Sequence, residues 1–247
     1  MQDYQPAPDL LQNRVILITG AGDGIGRATA RACAAHGATV ILLGRTLKKL
    51  EAVYDEIVAA GGPEPVLHPM NLLGTNGKEY FDLADAIEEN FGRLDGLLHN
   101  AGWVGALTPI ANYDVELWFQ AIQVNLHAPF LLTHTLLGLL NAAPDASVVF
   151  SADAVADAGK AYWGAYGVAK GGTQTLMKIL ANELEANTAI RVNSVDPGVV
   201  RTNLRVRVYP GISPEDWASP EAVVLPYLYL LGPDSRGVTG QTLRAQG

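Results

Sequence analysis

Two groups of residues in this sequence have types and spacings suited to chemistry. Thr19-Gly20-Ala21-Gly22-Asp23-Gly24-Ile25-Gly26 lies between an apolar, β-branched run and a stretch of helical length. A glycine-rich turn there lets a ligand approach the backbone closely. The free amides and positive dipole end of the following helix suit a pyrophosphate, so a dinucleotide is the expected guest. The spacing is Gly-x-x-x-Gly-x-Gly, and Gly-x-Gly-x-x-Gly fits in neither register, because Ile25 or Arg27 would have to be the third glycine. Tyr166 and Lys170 stand four apart on a predicted helix and share one face. An ammonium beside a phenol stabilises the phenolate and lowers its pKa from about 10, which arms a general acid/base. Taken alone the pair is ordinary helix decoration, so its meaning depends on the elements that position it.

Six apolar runs, at 14–19, 39–43, 65–70, 94–99, 147–150 and 190–195, read as strands, with a weaker seventh at 242–245. They are almost wholly apolar rather than alternating, which marks a parallel sheet covered on both faces. Stretches of helical length at 24–36, 47–60, 78–90, 116–141, 164–185 and 221–231 supply the crossovers. The expectation is an α/β fold: one doubly wound, Rossmann-like domain over 14–247 with about seven parallel strands and helices on both faces. Residues 1–13 read as a loose arm. In such sheets ligands bind outside the carboxyl ends of the strands. The residues at those ends are Gly20, Gly44-Arg45, Asn71, Asn100-Ala101-Gly102, Ser151-Ala152-Asp153 and Asp196-Pro197-Gly198.

Composition narrows the function classes. The 247 residues carry 25 acidic against 17 basic side chains, a formal charge of −8, with 49% apolar and 17% charged residues. That balance builds a compact core and offers no basic footprint for nucleic acid or an anionic membrane surface. The longest uncharged run, 117–144, is interrupted by Gln120, Gln123, Asn125, His127 and His134 and suits a buried helix rather than a membrane span. Cys33 has no partner cysteine, and the start Met-Gln-Asp-Tyr-Gln-Pro lacks a signal-peptide pattern, so a cytoplasmic protein is expected. The five histidines show no metal-ligand spacing among themselves or with Cys33, and no metal is expected.

The chain resembles the short-chain dehydrogenase/reductase family through Thr19 to Gly26, Asn100-Ala101-Gly102, Asn125, Tyr166-Gly167-Val168-Ala169-Lys170, and Pro197-Gly198 followed by Thr202. These motifs fall in family order along nearly the whole chain. Leu94-Asp95-Gly96-Leu97-Leu98-His99-Asn100-Ala101-Gly102 and Trp163-Gly164-Ala165-Tyr166 resemble one bacterial subgroup in particular. The resemblance implies a nicotinamide dinucleotide along Gly20, Asp23, Gly24, Ile25, Gly26, Leu72, Asn100, Ala101, Gly102, Pro197, Gly198 and Val200, with Thr202 at its carboxamide and Asn71 near its adenine. Family members that prefer NAD carry an acid after the second strand. Here Gly44 and Arg45 stand there, and a guanidinium suits a 2′-phosphate, so NADP(H) is preferred and NAD(H) remains open.

By the same resemblance Tyr166 exchanges a proton with a carbonyl or alcohol while hydride passes to or from the nicotinamide. Lys170 holds the nicotinamide ribose, and Asn125 holds a relay water through its main chain. The substrate is then a small carbonyl or alcohol compound, and the long apolar helices imply a homodimer or homotetramer. Trp103, Val155, Tyr162, Trp163 and residues 203–217 fall where the family builds its substrate pocket and lid. Within that lid, Arg205 and Arg207 face either solvent or an anionic substrate. The main departure is Asp153, thirteen residues before Tyr166, where the family has a serine. A carboxylate accepts but does not donate, and its charge raises the pKa of Tyr166. Three resolutions stay open: a protonated Asp153, a local slip that brings Ser151 forward, or a substrate group that pairs with Asp153. The rival to a reductase is a nucleotide-sensing or scaffold protein that lost efficient turnover.

Overall fold

A computed structural model describes residues 4–246. Its centre is one parallel sheet of seven strands, β1 (Val15–Thr19), β2 (Thr39–Gly44), β3 (Val66–Pro69), β4 (Gly96–His99), β5 (Ser147–Ser151), β6 (Arg191–Asp196) and β7 (Thr242–Arg244). They lie in the order β3-β2-β1-β4-β5-β6-β7, so the order reverses between β1 and β4. Helices α1 (Gly24–Ala35) and α2 (Leu47–Ala59) cover one face, and α3 (Gly77–Phe91) the other.

Strand alternation explains why the central strand is apolar at successive positions. In β1, Val15 and Leu17 enter the core beneath α3, while Ile16 and Ile18 enter the core beneath α1 and α2. Local signals set the helix ends. Asn76 accepts from the Lys78 amide at 2.9 Å, and the Glu79 carboxylate accepts from the Asn76 amide at 2.9 Å, closing a capping box that starts α3. Gly92, with φ +69°, ends it. Cys33 is fully buried in the α1 face, and that burial pushes its thiol up to about 12. Among the described residues no helix is long and apolar enough to cross a membrane.

Three expectations from sequence need correction. The helix read over 116–141 is three pieces: α4 (Val115–Ile122), a π-helical turn (Gln123–His127) and α5 (Ala128–Asn141). Pro129 has no N–H to return to the Asn125 carbonyl, so the α register cannot run through. The helix read over 221–231 starts as a 3₁₀ turn (Pro220–Val223) before the regular turns at Leu225–Leu231, with a second proline, Pro226, at their start. Residues 4–13 of the expected loose arm pack against the domain. Leu10 and Leu11 are buried in the α1-side core, and the Leu11 amide donates to the His36 carbonyl at 2.9 Å. Residues 1–3 of that expectation lie outside the described residues.

At the amino-terminal edge of the sheet, Asp145 gathers three guanidinium groups. Arg14 Nη2 lies 2.7 Å from its Oδ2, Arg191 Nη2 3.0 Å from Oδ1 and Arg236 Nε 3.1 Å from Oδ2. Burial acts to raise the Asp145 pKa, but Arg191 and Arg14 outweigh it and hold the carboxyl below its usual range. Its stabilising effect is therefore full above the ordinary carboxylate pKa and is lost as the pH falls through the depressed one. Asp145→Ala leaves two nearly buried cations without their carboxylate. It is expected to lower the unfolding free energy by roughly 3–5 kcal/mol, read from urea unfolding at neutral pH. A loss below about 1 kcal/mol, the size of a solvated pair, would show that the network does not stabilise the sheet edge.

Candidate active site

The sheet reversal is held by one side chain. Thr19, the last residue of β1, donates its hydroxyl to the Leu98 carbonyl at 3.2 Å and accepts from the amides of Asn100 at 2.9 Å and Ala101 at 3.0 Å. The glycine turn then closes down on this knot. A Cβ at Gly26 would press into the Gly20 carbonyl and stand 2.6 Å from Asn100 Nδ2, while one at Gly20, where φ is +67°, would stand 3.0 Å from Ala101 Cα. The backbone conformation thus requires glycine at 20, and close packing requires it at 26. Gly24, also at positive φ, faces Thr202.

Asp23 caps α1 by accepting from the Gly24 amide at 2.8 Å. Its other oxygen accepts from Lys49 Nζ at 2.5 Å and from Asn203 Nδ2 at 2.7 Å. Burial acts to raise its pKa, but the bonds from Lys49 and Asn203 hold the carboxyl below its usual range. Arg45 is exposed just after β2, and among the described residues no carboxylate is paired with it.

A cavity of about 980 Å³ runs from this turn across the sheet edge. Gly20, Asp23, Gly24, Ile25, Gly44, Arg45, Asn71, Leu72, Asn100, Ala101 and Gly102 line it, together with Asp153, Tyr166, Lys170, Pro197, Gly198, Val200 and Thr202. Of the residues expected to hold the dinucleotide or to act in catalysis, all but Gly26 and Asn125 are therefore on its wall; of those expected in the substrate pocket, Trp103 is on it, whereas Val155, Tyr162 and Trp163 are not. Gly26 packs behind the turn. Asn125 is buried in the π turn, where Nδ2 donates to the carbonyls of Trp103 and Ala121, both at 2.7 Å, and Oδ1 accepts from the Trp103 amide at 3.0 Å. Its side chain thus clamps the Asn100–Trp103 turn to α4. Pro129, four residues on, was the sequence signal for the broken helix at this point.

The opposite wall comes from α7 (Gly164–Glu185) and the loop after β5. Tyr166 is buried and donates its hydroxyl to Asp153 Oδ2 at 3.1 Å. Lys170, also buried, donates to the Ser151 carbonyl at 2.7 Å and sits 5.7 Å from the Tyr166 ring centre. Burial, then the charge and hydrogen bond of Asp153, push Tyr166 well above the ordinary phenol value. This corrects the expectation that Lys170 lowers it, and agrees with the expectation that Asp153 raises it. Burial brings Lys170 down to about 8, against an opposing pull from Asp153. His99, buried on Thr133 Oγ1 at 2.8 Å, is held neutral, its pKa pushed down to about 3 by burial and by Lys170.

Of the three ways around the Asp153 anomaly, a forward Ser151 finds no support. The Ser151 hydroxyl is engaged by Asn100 Oδ1 at 3.3 Å and by the Tyr227 hydroxyl at 3.1 Å. The geometry adds a partner that sequence reasoning missed. Arg205, on the short helix α8 (Asn203–Val208) that follows a four-residue turn, α6 (Val155–Ala158), and α7 in the chain, places Nη2 3.7 Å from Asp153 Oδ2. The chain separation of the two residues hides this pair from any local spacing.

The comparisons agree with this architecture. A family model described as short chain dehydrogenase matches residues 14–212. The chain belongs to the short-chain dehydrogenase family. Within it, the chain is 42% identical over 243 residues to an uncharacterised oxidoreductase, YciK, of Escherichia coli K12, covering 98% of this chain and 96% of that one. YciK is the type that the motifs at 94–102 and 163–166 resemble. A short-chain dehydrogenase structure from Salmonella enterica serovar Typhi superposes with a TM-score of 0.96 at 43% identity, covering 99% of this chain and all of the other (100%). A structure from Shigella flexneri 2a, complexed with NADP, superposes at 0.94 with 41% identity over 98% of this chain and 100% of that one.

The buried lysine makes this short-chain dehydrogenase's stability depend on alkaline pH in a definite direction. Below about 8 both folded and unfolded states carry the Lys170 proton, and the fold bears the cost of burying it. From about 8 to the ordinary lysine value near 10.4 the folded state sheds that proton first, so stability rises with pH. The unfolding free energy of the wild type, minus that of Lys170→Met, is expected to rise across this window in chemical denaturation. A flat difference would mean that the ammonium is solvated.

Proposed function

We propose that this chain is an NADP(H)-dependent oxidoreductase that interconverts a carbonyl and a secondary alcohol, with Tyr166 as the general acid/base. The observation that carries the reading is the single cavity that has the glycine turn and Arg45 at one end and the buried Tyr166–Lys170 pair at the other. The NADP complex of the Shigella flexneri neighbour supports the choice of cofactor. So do two features of the chain: Gly44 and an exposed Arg45, without a carboxylate partner among the described residues, at the strand end, and an Asp23 whose charge is already answered by Lys49.

The glycine contacts fit such a dinucleotide, since side chains at 20 and 24 would fill the space beside the α1 amino terminus. Arg45 would take the 2′-phosphate, the α1 amides the pyrophosphate and Lys170 the nicotinamide ribose. When bound in its reduced form the nicotinamide supplies a hydride and no proton. The proton comes from the chain. Tyr166, held protonated well above neutral pH, gives it to the oxygen that becomes the alcohol. Lys170, held by the Ser151 carbonyl, keeps positive charge near the phenolate that this leaves.

Fluorescence titration with NADPH and NADH, followed by a panel of ketones and aldehydes, tests the reading. NADPH is expected to bind more tightly, and Arg45→Ala to weaken it about tenfold or more while sparing NADH. Turnover on at least one carbonyl is expected, abolished by Tyr166→Phe. Binding without turnover across the panel would favour a nucleotide sensor, and failure of both dinucleotides to bind would overturn both readings. Val115 and Phe119 on α4 and Val168 on α7 are exposed at 66%, 62% and 54%. These apolar faces support pairing with a second copy of the chain. Light scattering at micromolar protein is expected to give a dimer or tetramer mass, and a monomer mass would overturn the pairing.

A further inference from the structure

Position 153 poses the problem of a missing donor. In a carbonyl reduction the hydride's two electrons become the new C–H bond, the carbonyl π pair becomes charge on oxygen, and the Tyr166 proton neutralises it. A second hydrogen-bond donor at that oxygen stabilises the charge as it develops. Asp153 does not supply one, because its Oδ2 already accepts from Tyr166 and its Oδ1 from the Val155 amide at 3.1 Å. The nearby donors are committed elsewhere: Ser151 to Asn100 and Tyr227, Lys170 to the Ser151 carbonyl, and the Asn125 amide to Trp103 and Ala121.

Arg205 is uncommitted. Its side chain is only 13% exposed and lines the same cavity as Tyr166, yet among the described residues its guanidinium makes no hydrogen bond. At 3.7 Å from Asp153 Oδ2 it forms an ion pair too long to count as a hydrogen bond. The rings of Trp163 and Tyr209, with centres 5.9 and 5.7 Å from Cζ, hold the planar group in place. Tyr166 and Arg205 therefore converge on one point, now marked by Asp153 Oδ2.

We propose that Arg205 is the second donor to the reacting oxygen, and that Asp153 positions it there, the two together doing what a serine at 153 would do. The carboxylate draws the guanidinium to Tyr166 and cancels its charge in the resting site. A carbonyl oxygen that approaches the Tyr166 hydroxyl then meets free N–H groups on its other side. Arg205 rides on α8, whose first residue Asn203 is tied to the glycine turn through Asp23, so one short helix links the donor to the cofactor end of the cavity.

This inference rests on the reductase reading, so its test uses a carbonyl that the wild type reduces with NADPH. Arg205→Met is expected to lower kcat by roughly 10²–10³-fold, with NADPH affinity by fluorescence titration unchanged. Asp153→Ser in the Arg205→Met background restores a hydroxyl donor and removes the unpaired carboxylate. It is expected to recover kcat at least tenfold, so that the two substitutions are strongly non-additive. Arg205→Lys, which keeps the charge without the fork, is expected to fall between wild type and Arg205→Met, and it stands in should Arg205→Met fail to fold. Turnover within about threefold of wild type in the folded arginine variants would overturn the proposal while leaving the reductase reading intact. So would a loss that Asp153→Ser does not recover. Absence of wild-type turnover on every carbonyl is the different failure, that of the reductase reading itself.

Discussion

Thr19 sits at 2% exposure where the strand order reverses, and its hydroxyl is fully used, giving one hydrogen bond to β4 and taking two from the turn that follows it. Everything functional hangs from this point. The glycine turn leaves one side of it, the Asn100–Trp103 turn leaves the other, and each is braced a second time, by Gly26 packing on Gly20 and by Asn125 clamping Trp103. A cavity wall made of loops thereby gains the rigidity of the sheet, which is what hydride and proton transfer at fixed separation demand.

Electrostatics inside the cavity follow from burial more than from any single charge. Tyr166, Lys170 and His99 are all buried, and in each the largest influence pushes toward the neutral form. Asp153 adds to this for the tyrosine and opposes it for the lysine. The resting site therefore keeps its acid protonated, and Arg205 answers the carboxylate that enforces this.

The fold was legible in the sequence because the central strands are covered on both faces and so are almost wholly apolar, while the crossovers have helical length and several end near glycine or asparagine. The residues at the carboxyl ends of the strands could be read for the same reason, since topology alone brings them together, and all but Gly26 and Asn125 of the predicted cofactor and catalytic residues line the cavity. What escaped notice depends on single residues or on distant pairs. The π turn follows from Pro129 removing one donor from an otherwise unremarkable helical stretch. The burial of Leu10 and Leu11 depends on a groove formed with α1 and Gly232, which no local pattern announces. The Asp153–Arg205 pair joins segments 52 residues apart in a lid with no periodic signal. The rise of the Tyr166 pKa was half legible: the carboxylate thirteen residues upstream was visible, and the depth of burial was not.

Cys33, sealed on the inner face of α1 with its thiol pushed up to about 12, has neither thiolate nor access at neutral pH. The molecule thus presents no reactive sulfur to a maleimide reagent. One cysteine placed on α8 becomes the sole labelling site for a fluorophore or spin probe, and the movement of that helix can be followed spectroscopically in the otherwise native chain.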